Sequence, residues 1–241
     1  MTSTATPNIA RRLSEVRARI DAAARSAGRD PSSVRLLAVG KTKPASAIAE
    51  AYAAGQREFG ENYAQELVEK HHALAHLPGI VWHFIGRLQT NKAKVVAPIA
   101  ALIHAVDSER LAIELGKRAE ARSPRFRVGV LVEVNVGGET SKGGVEAADL
   151  PRVLDRIESI PSLLLQGLMS IPPQAGSPEG SRAYHRLLRT LRDAHGGPAR
   201  LPTLSMGMTD DLEVAIAEGA TIVRVGTAIF GARAKPQPPM G

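Results

Sequence analysis

One stretch decides how this chain is interpreted: Leu36-Leu37-Ala38-Val39-Gly40-Lys41-Thr42-Lys43-Pro44. An apolar run of strand length ends at Lys41, and Pro44 turns the chain directly afterwards. A lysine held where a buried strand emerges can be desolvated, and desolvation disfavours its charged form. The neutral amine is the form that attacks a carbonyl carbon to make a Schiff base. Taken alone, the stretch is more typical of a solvated lysine at a strand end, so the rest of the chain has to decide.

The composition is that of a globular protein with an aliphatic core. Of the 241 residues, 44% are hydrophobic and only 3% aromatic, so the core must rely on aliphatic side chains and alanine. The absence of cysteine excludes disulfides, thiolate chemistry and cysteine metal sites. The N-terminus leads into a charged helix rather than an apolar signal core, and the longest near-apolar run, 95–103, is too short to cross a bilayer. We therefore expect a soluble, cytoplasmic protein without a membrane partner.

The charge of the chain is positive, with 31 lysines and arginines against 24 acids and a net charge of +7. A nucleic-acid partner is one explanation of such a charge. The basic residues are spread along the chain, however, and no aromatic platform for base stacking lies among them. Attraction for small anions such as phosphates explains the charge equally well. We therefore expect no nucleic-acid partner.

Apolar runs alternate with helical patterns along the whole chain after an N-terminal helix that contains Ile9, Leu13, Val16 and Ile20. Strands are predicted near residues 36–41, 57–61, 81–86, 101–106, 128–136, 163–170, 203–206 and 221–226. Helices are predicted over 45–54, 63–75, 91–96, 109–121, 147–157, 181–195 and 211–217, with a last short helix or tail after 231. This alternation implies a parallel sheet.

Eight strand–helix units in a chain of this length predict an α/β fold, a single (β/α)8 TIM barrel with an additional N-terminal helix. A doubly wound open sheet is the alternative, but it normally uses fewer strands in this length. No linker or shift in composition divides the chain. The predicted organisation is therefore one domain over residues 1–241, with its core at about 36–233.

Two motifs that would suggest other functions are incomplete. Gly40-Lys41-Thr42 resembles the end of a Walker A loop, but the glycine that this loop requires is replaced by Arg35. His72 and His76 are spaced as two metal ligands on one helix face, but Ala73 stands where a zinc hydrolase needs its acid. Without a third ligand nearby, an exposed helix face is the better interpretation. The sequence therefore predicts neither an NTPase nor a metal site.

Two short loops late in the chain have the composition of an anion site. Ser205-Met206-Gly207-Met208-Thr209 follows the seventh predicted strand, and Gly226-Thr227-Ala228 follows the eighth. Many (β/α)8 barrels bind a phosphate at these two loops through backbone N–H groups and a helix N-terminus. Either loop alone could be a simple tight turn, but the two together favour an anion site. Asp210-Asp211 is explained as acids that begin a helix after the cap residue Thr209, rather than as a catalytic pair.

Arg224 lies two residues before Gly226, on the strand face that leads to the same loop. A lysine after strand one and a phosphate site after strands seven and eight describe a pyridoxal 5′-phosphate (PLP) site. The aldehyde would join the lysine while the loops hold the phosphate. The same parts would serve a class I aldolase that acts on a sugar phosphate. Composition and spacing leave both possibilities open.

Seven stretches of the sequence follow a known pattern. Two of them include Trp82-His83-Phe84-Ile85-Gly86-Arg87 and Leu204-Ser205-Met206-Gly207-Met208-Thr209-Asp210-Asp211. The seven stretches occupy residues 37–44, 57–63, 82–92, 141–143, 167–172, 204–211 and 224–231. On these residues the sequence resembles the pyridoxal phosphate homeostasis protein family. The fold of that family is similar to the N-terminal barrel of alanine racemase, so the resemblance implies the same barrel and PLP as its cofactor.

Carried over residue by residue, the resemblance implies a role for each position of the PLP site. Lys41 would form the Schiff base, and Arg224 would face the pyridine nitrogen, which weakens the cofactor as an electron sink. The phosphate would be held by Ser205, Gly226 and Thr227 together with neighbouring amides such as those of Met206 and Gly207. The ring would be lined by Asn62, His83 and Met169.

Three further positions concern the Schiff-base lysine, namely Gly40, Lys43 and Lys142. The family commonly has serine in place of Gly40, so we expect a looser strand end with the lysine still in register. Lys43 and Lys142 are the next candidates for the Schiff base. Strand parity cannot separate Lys43 from Lys41, but Lys43 already lies in the turn before Pro44.

The resemblance also implies absences. Alanine racemase-like enzymes carry a second, β-rich domain and a tyrosine base delivered across a dimer, whereas Tyr52, Tyr63 and Tyr184 fall in predicted helices. A two-base racemase needs acid–base groups on both faces of the substrate carbon. The resemblance therefore implies a monomeric carrier of PLP in cofactor and amino-acid homeostasis, with no catalytic residues and with apo PLP enzymes as candidate partners. A weak PLP-dependent racemase or lyase-type enzyme is the alternative.

Overall fold

A closed barrel of eight parallel strands in sequence order forms the centre of the protein. The structure is a computed structural model, and it describes residues 9–138, 143–174 and 176–232. The strands are β1 Arg35–Val39, β2 Glu58–Glu61, β3 Val81–Phe84, β4 Leu102–Val106, β5 Val128–Glu133, β6 Leu163–Met169, β7 Thr203–Ser205 and β8 Ile222–Val225. The α-helices are α1 Ile9–Ser26, α2 Ala45–Ala53, α3 Ala64–Ala73, α4 Ala93–Val96, α5 Glu109–Arg122, α6 Leu150–Glu158, α7 Arg182–Ala194, α8 Gly197–Arg200, α9 Leu212–Ala217 and α10 Thr227–Phe230.

The barrel closes because β1 pairs with both β2 and β8. Ala38 lies beside Phe59 in one parallel register and beside Val225 in the other. Outside the barrel, α1 buries the predicted apolar stripe and packs against α9 and α10. The prediction of a (β/α)8 TIM barrel with an additional N-terminal helix is therefore confirmed.

Two apolar layers hold the barrel together. The larger layer lies between the outer strand faces and the helices, and its bulkiest fully buried side chains include Phe59 and Phe84. The smaller layer fills the barrel interior with residues from five strands and with Ile85, which directly follows β3; the members are Leu37, Val39, Ile85, Leu102, Ala105, Leu131, Met169 and Ile222. Parallel strands buried on both faces need nearly continuous apolar runs, which explains why these strands were visible in the sequence. The inner layer forms the floor beneath the C-terminal mouth of the barrel.

Several predicted boundaries were wrong. β1 ends at Val39 rather than at 41, because residues 40–43 form a turn that the Lys43 N–H closes by donating to Gly40 O. The helix predicted from 147 begins at Leu150, with Pro151 in its first turn, where a missing N–H is tolerated. The four-residue helix α8 was missed. The short helix α10, which directly follows Gly226 at the end of β8, was also missed, whereas the last helix or tail predicted after residue 231 falls almost entirely outside the described residues.

Some predictions fall outside the described residues. Ser141 and Lys142 lie in the gap between 138 and 143, and the described part of the chain ends at residue 232. The assignment of residues 1–241 to a single domain therefore stays a prediction. None of the described helices is both long and apolar enough to cross a membrane.

Candidate functional site

A cavity of about 190 Å³ opens at the C-terminal mouth of the barrel. Strand parity explains part of its lining, since Lys41 continues the inward-facing series of Leu37 and Val39. In the same way, Arg224 follows Ile222 on β8. The lining residues are Val39, Lys41, Asn62, Ile85, Ile171, Met208, Thr209, Asp210, Arg224, Gly226 and Thr227. The structure therefore brings together five of the predicted site residues: Lys41, Asn62, Arg224, Gly226 and Thr227.

The turn that carries Lys41 is tightly held. The Gly40 N–H donates to Gly60 O (3.0 Å), and the Lys43 N–H donates to Gly40 O (3.0 Å). Thr42 occupies the third position of this turn with a φ of 63°, which is what a type II turn requires. The expectation that Gly40 loosens the strand end was therefore wrong. A Cβ at Gly40 would lie 2.5 Å from Ile48 and 2.7 Å from Glu61, because these side chains fill the space that a serine would take.

The other candidate lysines do not share this position. Lys43 points away from the cavity, and its Nζ donates to the carbonyl oxygen of Ala232 at 2.8 Å. Lys142 lies outside the described residues. Of the two described candidates, Lys41 alone lines the cavity.

The loops after β7 and β8 lie side by side, as predicted. The Arg224 N–H donates to Gly207 O (3.0 Å), which ties the two loops together, and Gly207 has a positive φ of 88°. A Cβ at Gly226 would lie 3.1 Å from Val39 O, so this glycine lets α10 begin directly beside the end of β1. The first N–H groups of a helix have no acceptor within the helix. The start of α10 at Thr227 therefore presents backbone donors at the edge of the cavity.

Asp211 has a structural role, although not the predicted one. Its Oδ1 accepts from the Met208 N–H (2.7 Å), and its Oδ2 lies 3.0 Å from Nε2 of the buried His185. Asp211 itself, rather than Thr209, is the residue that precedes α9, and its side chain makes no capping bond. Asp211 thus shapes the loop after β7, whereas Asp210 and Thr209 line the cavity.

Arg224 lies at the floor of the cavity and is only 4% exposed. Its Nη1 donates to the backbone oxygen of Ser205 (2.6 Å) and to the Ser205 hydroxyl (2.8 Å), and its Nη2 donates to Ser170 O (2.9 Å). Burial lowers the pKa of Arg224 to about 10, while the carboxylates of Glu133 and Asp211 act in the opposite direction. Arg224 is therefore a fixed cation whose direction is set by three oxygens.

Ser205, Met206 and Gly207, which were predicted as phosphate ligands, are buried and are not among the residues that line the cavity. Their roles at the phosphate stay predictions. The Ser205 hydroxyl instead contacts Arg224 and Nδ1 of His104 (2.9 Å). The loop after β7 lines the cavity with residues 208–210. Ser205 does not line it, because it is the last residue of β7 and points inward.

His83 and Met169 also lie below the cavity rather than along it. Met169 belongs to the inner apolar layer, and Nδ1 of His83 is 2.9 Å from Nε2 of His104. Arg224 can only donate, so the Ser205 hydroxyl accepts from it and can direct its own hydrogen to His104. His104 Nε2–H then donates to His83, whose Nε2 lies 3.5 Å from Glu58 Oε2. A buried chain of hydrogen bonds thus runs from Arg224 through both histidines toward β2.

Sequence reasoning missed His104, although a histidine inside an otherwise apolar strand was the available signal. Burial lowers the pKa of His83 to about 3, and Arg35 adds to this effect. Burial likewise lowers the pKa of His104 well below its usual value, with further contributions from His83 and Arg224. Both rings are therefore neutral, which is the state that the hydrogen-bond chain requires.

Because His83 and His104 are neutral in the folded protein, we expect its stability to depend on pH. Between pH 6.5 and about 3 the unfolded chain binds protons at His83 and His104 that the folded protein does not bind, so stability falls as the pH falls. We expect His83→Gln/His104→Gln to remove a slope of up to ~1.4 kcal/mol per pH unit for each histidine below pH 6. Urea unfolding at pH 7, 6 and 5 measures this slope.

Two comparisons make the pH experiment specific. His72→Gln, at an exposed position on α3, is expected to keep the wild-type slope. Glu61 acts in the opposite direction, because burial raises its pKa to about 7, but wild type and variant share this contribution. Equal slopes in the wild type and the double variant would mean that the two rings are not kept neutral by the fold.

Asn62 lines the cavity and also a second, larger one of about 890 Å³ that includes Arg87 and Lys92. Its Oδ1 is buried without a hydrogen-bond partner. Gly86 packs so closely against Asn62 that a Cβ there would overlap the backbone carbonyl of Asn62. Asn62 therefore has an acceptor atom, Oδ1, without a partner, and the close packing of Gly86 after β3 holds its backbone in place. These two features are consistent with its predicted role at the site.

Gly86→Ala is expected to displace the Asn62 backbone and to lower the free energy of unfolding by about 1–3 kcal/mol, as for other overpacked sites. Gly143→Ala is the matched control, since its Cβ would meet nothing nearer than 4.0 Å. Chemical denaturation of both variants checks the prediction. Equal stability of the two variants would show that the Asn62 loop yields without cost.

Comparisons with known proteins agree with this architecture. The family described as "Alanine racemase, N-terminal domain" matches residues 12–234. The crystal structure of alanine racemase from Corynebacterium glutamicum has a TM-score of 0.64 at 17% identity, covers 95% of this chain and 64% of that one, and shows the fold alone. The barrel is therefore the one found in that domain.

Two relatives cover nearly the whole chain. The Pyridoxal phosphate homeostasis protein of Pseudomonas aeruginosa is 50% identical over 226 residues, which are 93% of this chain and 96% of that protein. The structure of PipY from Synechococcus elongatus, solved with PLP bound, has a TM-score of 0.81 at 38% identity and covers 92% of this chain and 100% of that one. The chain therefore belongs to the pyridoxal phosphate homeostasis protein family, built on the barrel of the alanine racemase N-terminal domain.

Proposed function

We propose that this protein holds PLP in the cavity at the barrel mouth, as a Schiff base on Lys41, and serves cofactor and amino-acid homeostasis. The observation that carries this proposal is that Lys41, Arg224 and the start of α10 line one cavity. The PLP bound in PipY and the name of the Pseudomonas aeruginosa relative support PLP as the ligand. An aldolase would need the same lysine and phosphate donors, but the family favours PLP.

The residues of the cavity fit the parts of this ligand. The backbone donors at Thr227 and the hydroxyl of Thr227 suit the phosphate, because the N-terminus of a helix favours an anion. Arg224 suits the pyridine nitrogen, since it is a fixed donor that cannot accept a proton from the ring. The unpartnered Oδ1 of Asn62 offers an acceptor beside Lys41. When bound, PLP supplies an aldehyde for imine formation and an electron sink.

The same geometry favours a carrier over an enzyme. An arginine at the pyridine nitrogen keeps that nitrogen unprotonated and so weakens the electron sink. Racemisation also needs an acid–base group on each face of the substrate carbon. Among the described residues no tyrosine lines the cavity, and Tyr63 is 52% exposed in the neighbouring larger one. A monomeric, cytoplasmic carrier that delivers PLP to apo enzymes accounts for this combination.

The test combines absorbance with chemical mapping. Purified protein mixed with PLP is expected to show a Schiff-base band that borohydride removes, and the reduced adduct is expected on the peptide that contains Lys41. Mapping of the adduct to Lys43 or Lys142 instead would contradict the site. Exchange of the α-proton of alanine or serine in deuterated water, faster than with free PLP, would favour the alternative of a weak racemase or lyase.

A further inference from the structure

Lys70 and Glu66 of helix α3 form a group of three charged side chains with Glu61 of β2, outside both the cavity and the hydrogen-bond chain of the two histidines. Lys70 is 5% exposed, and its Nζ donates to Glu61 Oε1 (2.8 Å) and to Glu66 Oε2 (2.7 Å). Glu61 is fully buried at the end of β2, whereas Glu66 lies half-buried one turn before Lys70. A lysine buried this deeply is rare unless it is paired, so the groups that Lys70 contacts indicate its structural role.

The third acceptor of Lys70 is the carbonyl oxygen of Gly40, at 2.8 Å. Gly40 is the residue directly before Lys41. On the other side of Lys41, the Thr42 N–H donates to Glu66 Oε2 at 2.8 Å. The two backbone groups that flank Lys41 are thus both bound by this one cluster.

The backbone between these two contacts needs such support. Thr42 has a φ of 63°, a left-handed conformation that disfavours a β-branched residue and costs about 1–3 kcal/mol. The turn bond from Lys43 N to Gly40 O closes the loop but leaves the Thr42 amide without a partner inside the turn. The hydrogen bond to Glu66 uses that amide, and the ammonium of Lys70 fixes Glu66 in the position to accept it.

The charges of the cluster are consistent with this arrangement. Hydrogen bonds from Lys70 and the Thr42 amide hold the pKa of Glu66 below its usual value, although its partial burial opposes this. Burial raises the pKa of Glu61 to about 7, and its Oε2 has no partner. Lys70 thus contacts both carboxyl groups, at 2.8 Å for Glu61 and 2.7 Å for Glu66, and only Glu66 also accepts from the backbone beside Lys41 among these two.

We infer that Lys70 is a positioning residue for Lys41: together with Glu66 it fixes the backbone on both sides of Lys41 and so aims its amine into the cavity. The inference rests on the proposed function only where it concerns the Schiff base. The hold on the backbone exists in the protein without cofactor, and it is therefore testable in the apoprotein.

The first experiment measures amide hydrogen exchange by NMR without PLP. Lys70→Met is expected to reduce the protection of the Thr42 amide at least tenfold, while amides of the inner strand residue Leu37 keep theirs. Glu66→Ala, at a half-buried position that the fold tolerates, is expected to have the same effect on Thr42, and Glu66→Gln to restore part of the protection. Glu69→Ala is the control, because Glu69 is exposed on the same helix and accepts a hydrogen bond from the exposed Gln65.

The second experiment measures binding of PLP to the same variants by the Schiff-base absorbance. Lys70→Met and Glu66→Ala are expected to weaken binding about tenfold, with Glu69→Ala unchanged. Equal loss of protection at Thr42 and Leu37 would reduce Lys70 to a general stabilising residue and overturn the inference. Lost protection at Thr42 with unchanged PLP binding would also overturn it. Absence of the absorbance in the wild type would instead contradict the proposed function, while the exchange experiment still tests the hold on the backbone.

Discussion

Lys41→Ala is expected to abolish the Schiff-base absorbance of the protein mixed with PLP and to weaken PLP binding by at least tenfold, or about 1.4 kcal/mol. The reason is that Lys41 is the one described candidate lysine that lines the cavity with Arg224 and Thr227. An alanine keeps the turn but removes the amine that the proposed Schiff base requires. Absorbance titration with PLP, followed by borohydride reduction, measures both effects.

Lys43→Ala is the matched control for this experiment. Lys43 lies two residues away in the same turn, and its amine contacts the carbonyl oxygen of Ala232 instead of the cavity. The control is expected to keep the wild-type absorbance and affinity. A band that persists in Lys41→Ala and disappears in Lys43→Ala would transfer the Schiff base to Lys43. A band that persists in both variants would transfer it to Lys142 or to another lysine.

Arg224→Met is expected to lower the free energy of unfolding by about 3–5 kcal/mol, the range seen when one partner of a buried charged network is removed. Methionine fills similar space but removes the donor of three oxygens. The Ser205 backbone oxygen keeps the Ser170 N–H (3.2 Å) and the Ser205 hydroxyl keeps its contact with His104, whereas the Ser170 backbone oxygen loses the guanidinium donor. Buried polar groups without partners cost about 1–3 kcal/mol each, so even a partial rearrangement leaves a large loss. Chemical denaturation of the apoprotein at pH 7 checks this prediction.

The control for Arg224 is an arginine that lies on the surface. Arg118 pairs with Glu114 on α5 at 2.6 Å and is 45% exposed. Arg118→Met is expected to change stability by no more than ~1 kcal/mol, because exposed ion pairs contribute little. A loss below 1 kcal/mol in Arg224→Met would show that water replaces the guanidinium beneath the cavity. In that case the surrounding residues would fix the position of Arg224, but Arg224 would add little to the stability of the fold.

The sequence by itself determined the barrel, because parallel strands buried on both faces leave apolar runs that any reader of the sequence can find. It also determined the main residues of the cavity. Lys41, Asn62, Gly226 and Thr227 follow strands and Arg224 lies near the end of β8, and the C-terminal ends of barrel strands meet at one mouth. Periodicity and the barrel rule therefore suffice to place residues at the mouth.

The same reasoning does not determine how deep a side chain lies below the mouth. Strand order cannot tell whether a side chain near a strand end reaches the cavity or stops beneath it, because the depth depends on where each strand bends. Ser205 and His83 were predicted to meet the ligand, but they join Arg224 and His104 in the hydrogen-bond chain of the barrel interior. Only the tertiary structure set this depth.

The contacts of Lys41 show the limit most clearly. The sequence placed this lysine at the end of β1, but nothing local in it indicates that Lys70, twenty-nine residues later, bonds to the carbonyl oxygen of Gly40. A helix pattern identifies Lys70 as a charged residue, which is normally exposed. Its burial follows from packing α3 against the ends of β1 and β2, where Glu61 and the Gly40 oxygen offer it two acceptors. The sequence therefore determined which lysine faces the cavity, and the packing of distant elements decided how its backbone is held there.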